Sequence, residues 1–151
     1  MKLLQLFLPA LFTLAPSGAS AEPLALVVSE QVSLETLGLA ELQQLFLGGK
    51  LEAGGKRLLA LNLPPGSEAR ERFDREILGM SPEEVPRFWV DQRIRGKGKP
   101  PKIIPSAATL VRLVIKLPGA IGYVPLSAVT PGARVVAVDR ALPDSSSYVL
   151  R

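Results

Sequence analysis

The chain has 151 residues, 47% of them hydrophobic, no cysteine, no histidine and a formal net charge of +4. Lacking cysteine it can form no disulfide and do no thiolate chemistry; lacking histidine it loses the commonest general base and most transition-metal sites. So mild a positive excess favours anionic ligands only slightly and does not by itself point to nucleic acid.

At the start of the chain, Lys2 precedes an apolar run from Leu3 to Leu14, and Ala19-Ser20-Ala21 follows in the small-x-small pattern. That is the layout of a secretory leader over residues 1–21, cut after Ala21 to leave Glu22 as the mature N-terminus. The run is shorter than the ~20 apolar residues of a membrane span, and Pro9 and Pro16 break it further. The expectation is therefore a periplasmic or secreted protein of one domain, residues 22–151.

Leu24-Ala25-Leu26-Val27-Val28 reads as a buried strand. Leu39, Leu42, Leu45 and Phe46 fall at helical spacing, and Gly48-Gly49 gives the stop. Arg57 to Leu63 reads as a second strand, closed by Pro64-Pro65-Gly66. Ser67 stands where an N-cap belongs, and Phe73, Ile77 and Leu78 form the apolar stripe of the helix it opens. On that helix Glu68, Glu71, Asp74 and Glu76 interleave with Arg70, Arg72 and Arg75, the pattern of a salt-bridged surface face.

Gly79 ends this helix, and Ser81-Pro82-Glu83-Glu84 predicts the next, with Val85, Phe88 and Trp89 packing inward. Two glycines and two prolines between Gly96 and Pro101 interrupt the pattern, and Lys102-Ile103-Ile104 reads as a short strand. Ser106 caps a fourth helix with its core face at Leu110, Val111, Val114 and Ile115. Pro118-Gly119 stops it, and Ile121 to Val124 and Val135 to Val138 are strands. Short strands alternating with amphipathic helices predict an α/β fold with an at least partly parallel sheet.

From Val32 to Val124 the chain resembles the second half of the phosphate ABC transporter substrate-binding proteins. The resemblance is carried by Leu39-Ala40-Glu41-Leu42-Gln43-Gln44-Leu45-Phe46-Leu47-Gly48, by Gly66-Ser67 opening a helix with Phe73 and Leu78-Gly79, and by Trp89. The loop Gly96-Lys97-Gly98-Lys99-Pro100-Pro101 and Pro118-Gly119-Ala120-Ile121-Gly122-Tyr123-Val124 complete it. It implies a single lobe of the type II periplasmic-binding-protein fold, a mixed sheet flanked by helices, where large members have two lobes around a cleft. It also implies a binding protein for phosphate or another small anion, working in transport or sensing, while the want of any nucleophile–base pair or metal-ligand set leads us to expect no enzymatic activity, cofactor or metal.

The family's anion segment, Arg-x-x-Gly-Ser-Gly-Thr, aligns with Leu63-Pro64-Pro65-Gly66-Ser67-Glu68-Ala69. Gly66 and Ser67 stand, while the arginine, second glycine and threonine are replaced. The candidate ligand residues are thus Gly66, Ser67 and, as the nearby cation, Arg70. Glu68 opposes an anion there.

Arg93, Arg95, Lys97, Lys99 and Lys102 place five cations in ten residues, a candidate docking patch for an acidic partner, an anionic lipid surface or a polyanion. Without interleaved aromatics it is no platform for single-stranded nucleic acid. Two functions remain open: an anion-binding module for transport or sensing, and an accessory protein that keeps the fold without the ligand site and docks on a membrane transporter, sensor or secretion complex.

Overall fold

A computed structural model describes residues 20–151. All but the last two residues of the expected leader lie outside the described residues, and its cleavage motif is therefore described only from Ser20 onward. No helix among the described residues is long and apolar enough to cross a membrane.

The apolar run that opens at Leu24 becomes β1 (Leu24–Ser29), buried along its whole length. Burial on both faces is the lot of a central strand with helices above and below. It lies between β7 (Ala120–Pro125) and β8 (Ala133–Val138), antiparallel to both. β5 (Leu59–Asn62) runs parallel to β7, and the edge strand β6 (Lys102–Ile103) runs parallel to β5. On the far side β2 (Thr36–Leu37) runs parallel to β8, which completes the order β2-β8-β1-β7-β5-β6. A separate hairpin joins β3 (Glu52–Ala53) and β4 (Lys56–Arg57). The sheet is mixed, as expected, but the strand expected over Arg57–Leu63 is divided. Arg57 belongs to the hairpin, and only Leu59–Asn62 enters the main sheet.

Helices cover both faces. α4 (Ala107–Lys116) is capped by Ser106, whose hydroxyl accepts from the Thr109 amide at 3.2 Å. It buries Leu110, Val111 and Val114 against the sheet. Gly122 belongs here for space rather than for backbone freedom. It lies within β7, and a Cβ there would come within 2.6 Å of the Leu110 side chain. Gly119 does need its conformation: its φ is +104°, and a Cβ would meet the Arg57 carbonyl at 2.8 Å.

On the opposite face lie α1 (Leu39–Phe46) and α2 (Glu68–Phe73). Phe73 stacks on Tyr123 of β7 at 3.8 Å with the rings 4° from parallel, and Phe46 of α1 tilts against Phe73 at 4.6 Å. This aromatic trio ties both helices to the sheet. α2 widens without a break into a π-helical turn, Asp74–Leu78, which Gly79 ends in the left-handed conformation.

α3 (Glu84–Ile94) departs from expectation. Its first turn is preceded by Ser81, whose amide donates to the Glu84 carboxylate at 2.8 Å, while the Ser81 hydroxyl caps nothing. Val85 is buried, but Phe88 and Trp89 are only half-buried, meeting edge to face at 5.0 Å. Trp89 covers Gly48 rather than entering the core. Val90 and Ile94 face solvent, 51% and 80% exposed.

Candidate ligand site

At the end of β5 the chain turns through Pro64-Pro65-Gly66 into α2. Gly66 has a φ of +86° with open space around its Cα, so it is the turn's conformation that calls for glycine. Ser67 has the extended backbone of an N-cap, but its hydroxyl donates to the Pro64 carbonyl at 2.8 Å and caps no amide. The expected cap is not made, because the hydroxyl is used to close the turn behind it. Glu68 is exposed at the first position of the helix.

Arg70 corrects the expectation most. The side chains of α2 were expected to form an exposed, salt-bridged face, yet Arg70 and Asp74 are 6% and 4% exposed. Arg70 Nε donates to Asp74 Oδ2 at 2.7 Å, and Nη1 donates to the Leu63 carbonyl at 2.9 Å. Positions 70, 73, 74 and 77 have the i, i+3, i+4, i+7 spacing of one helical face. Arg70 and Asp74 are therefore drawn inward with Phe73 and Ile77, and pairing makes their burial tolerable.

Next to them the Tyr123 hydroxyl donates to the Asn62 side-chain oxygen, also buried. Burial raises the Tyr123 phenol far above its ordinary pKa. Burial likewise raises the Asp74 carboxyl, opposed by the Arg70 guanidinium. Asp74 Oδ1 is buried with no hydrogen-bond partner. Sequence reasoning passed over Asn62, Asp74 and Tyr123 as site residues, although the helical spacing of 70 and 74 relative to Phe73 carried the signal.

The structure thus brings Gly66, Ser67 and Arg70 to one turn, but leaves neither the hydroxyl nor the guanidinium presented outward. None of the surface cavities of about 650, 580 and 340 Å³ includes these three residues.

The five cations of the candidate patch are divided. Arg95 pairs with Asp91 at 2.9 Å on the exposed side of α3. Arg93 and Lys97 are exposed nearby, at the C-terminal end of the helix where cations are favourable in any case. Lys99 and Lys102 instead line the cavity of about 650 Å³, together with Lys50 and Arg57. The last two lie some forty to fifty residues earlier in the chain, so charge clustering along the sequence could not reveal them.

No family model matches the sequence, and no curated protein matches it. Among solved structures it is similar to an ABC-type phosphate transport receptor from Vibrio cholerae, at 15% identity and a TM-score of 0.65, covering 81% of this chain and 48% of that one. It is also similar to a protein from Clostridium perfringens, described as a phosphate ABC transporter substrate-binding protein and solved with bound phosphate. There the identity is 21%, the TM-score 0.63 and the coverage 80% and 46%. PstS from Borrelia burgdorferi is similar at 14% identity and a TM-score of 0.63, with coverage of 85% and 54%. The chain spans about half the length of these structures. Over about half of their length, the chain has the fold of these phosphate ABC transporter substrate-binding proteins.

Proposed function

We propose that the chain is an exported, phosphate-binding-protein-like module that engages a protein partner as an accessory component and does not carry phosphate. The observation behind this reading is Arg70. A phosphate site needs several converging donors, because a dianion withdrawn from water with partners missing is very costly. At the turn where the resemblance places the anion, the candidate cation Arg70 is buried and neutralised by Asp74 at 2.7 Å. The Ser67 hydroxyl is spent on Pro64, and Glu68 adds a negative charge.

The partner surface in this reading is the outward side of α3. Val90 and Ile94 are exposed there beside Arg87, Arg93 and Lys97. An apolar centre with a cationic rim suits a protein with an acidic border, such as a component of a membrane transporter, sensor or secretion complex. The second reading, binding of phosphate or another small anion for uptake or sensing, is favoured by the structural neighbours, one of which holds phosphate.

Titration calorimetry on the phosphate-free protein separates the two. The expected outcome is binding no tighter than about millimolar, near −4 kcal/mol. A micromolar constant that is lost in Ser67→Ala overturns the accessory reading.

A further inference from the structure

The cavity of about 650 Å³ lies between the end of α1, the β3–β4 hairpin and the segment leading from α3 into β6. Lys50, Arg57, Lys99 and Lys102 converge on it from three parts of the chain, and no Asp or Glu is among its lining residues. Among the described residues none of the four takes part in an ion pair. Cations gathered this way repel one another, and their joint field draws an anion.

The remaining lining is apolar or glycine. Leu45 and Ala60 are buried below, Pro100 and Pro101 form one side, and Leu59 is left 53% exposed in a strand of the main sheet. An inorganic phosphate or polyphosphate would gain nothing from that leucine and those prolines. A ligand with an apolar body gains from covering them. The volume is that of a site for a small organic molecule.

The wall is also held in place. Gly48 and Gly98 meet backbone to backbone, so that a Cβ on Gly98 would lie 3.2 Å from the Gly48 carbonyl oxygen. Both have positive φ, +91° and +60°, and the Trp89 ring closes over Gly48. The Lys97 amide donates to the Gln92 carbonyl at 2.9 Å, which ties the following loop to α3. A pre-formed wall spares a ligand the entropy of ordering it.

We propose that this cavity binds an amphiphilic organic anion, a carboxylate or phosphate group on an apolar body, with the head among Lys50, Arg57, Lys99 and Lys102 and the body over Leu59. The cavity sits at the start of β5, whereas Asn62 and the Gly66–Ser67 turn lie at its other end. It is independent of the accessory reading, since neither Arg70 nor the outward side of α3 lines it.

Fluorescence titration of the purified protein with anilinonaphthalene sulfonate, followed by displacement with decanoate, tests this. One saturable site is expected, displaced by decanoate and not by tripolyphosphate at equal concentration. The paired variant Arg57→Glu with Lys99→Glu should weaken it by about tenfold or more. Both side chains are exposed, so the fold, followed by circular dichroism, should be retained. The control Val90→Ser with Ile94→Ser should leave binding unchanged. Binding insensitive to the charge reversals, binding lost in the α3 control, or displacement by tripolyphosphate as effective as by decanoate would each overturn the proposal.

Discussion

Arg70 and Asp74 show how one buried ion pair reshapes the meaning of a turn. Each charge alone would be costly in that position, so the pair should behave as a unit. Arg70→Met should destabilise the protein by about 3–5 kcal/mol, as should Asp74→Leu, because each leaves a buried charge uncompensated. The double variant should cost less than the sum of the two, which chemical denaturation of all four proteins would reveal. Single losses below about 1 kcal/mol would mean that water reaches the pair. A pH dependence follows too. Burial raises the folded pKa of Asp74 above its ordinary 3.8. Its stabilising contribution is therefore present in full below that value and is lost as pH rises through the elevated folded one. Asp74→Asn should remove this downward slope.

Among the elements, the helix after Ser67 was legible and its interior only partly so. Phe73 and Ile77 were expected inward and are fully buried. Leu78, expected with them, is half-buried, because the chain widens into the π-turn from Asp74 onward. Phe73→Ala should cost about 3–5 kcal/mol, since it removes a ring stacked on Tyr123 and packed on Phe46. A loss below about 1 kcal/mol in urea denaturation would contradict that packing.

Periodicity also yielded α1, α4, β1, β7 and β8, because each buries a continuous apolar face and the pattern follows from burial. It failed where burial is not what decides. The two-residue strands at Thr36–Leu37 and Glu52–Ala53 are too short to carry a pattern. α3 has an inward spacing at Val85, Phe88 and Trp89, but Phe88 and Trp89 stay half-buried, Trp89 against Gly48 rather than in the core. Charge read by residue type likewise placed Arg70 and Asp74 outside, although their spacing put them on the buried face. The cavity cations could not be grouped in advance, since Lys50 and Arg57 reach Lys99 and Lys102 only through the fold.

On the scale of the whole molecule, the two ends of the described chain are fastened to each other and to the sheet. The Arg72 guanidinium donates to the Glu22 carbonyl at 2.6 Å and to the Arg151 carbonyl at 2.8 Å. The Leu24 amide donates to the Leu150 carbonyl at 2.8 Å, and the Tyr148 hydroxyl donates to the Leu24 carbonyl at 2.7 Å. The Glu22 carboxylate accepts from the Ser127 amide, and hydrogen bonding to Ser127, its side chain first and its backbone second, holds the Glu22 pKa below the ordinary range. Cleavage after Ala21 would leave as its first residue one whose carbonyl and side chain are both already engaged. A cut further along would remove the Glu22 contacts and begin to free the central strand. Cleavage after Ala21, the bond that the Ala19-Ser20-Ala21 motif predicts, would leave these contacts intact. Mass spectrometry of exported protein should find Glu22 as the N-terminal residue. Intact Met1 in that material would refute the leader, and a start beyond Pro23 would mean that these contacts do not hold the mature end.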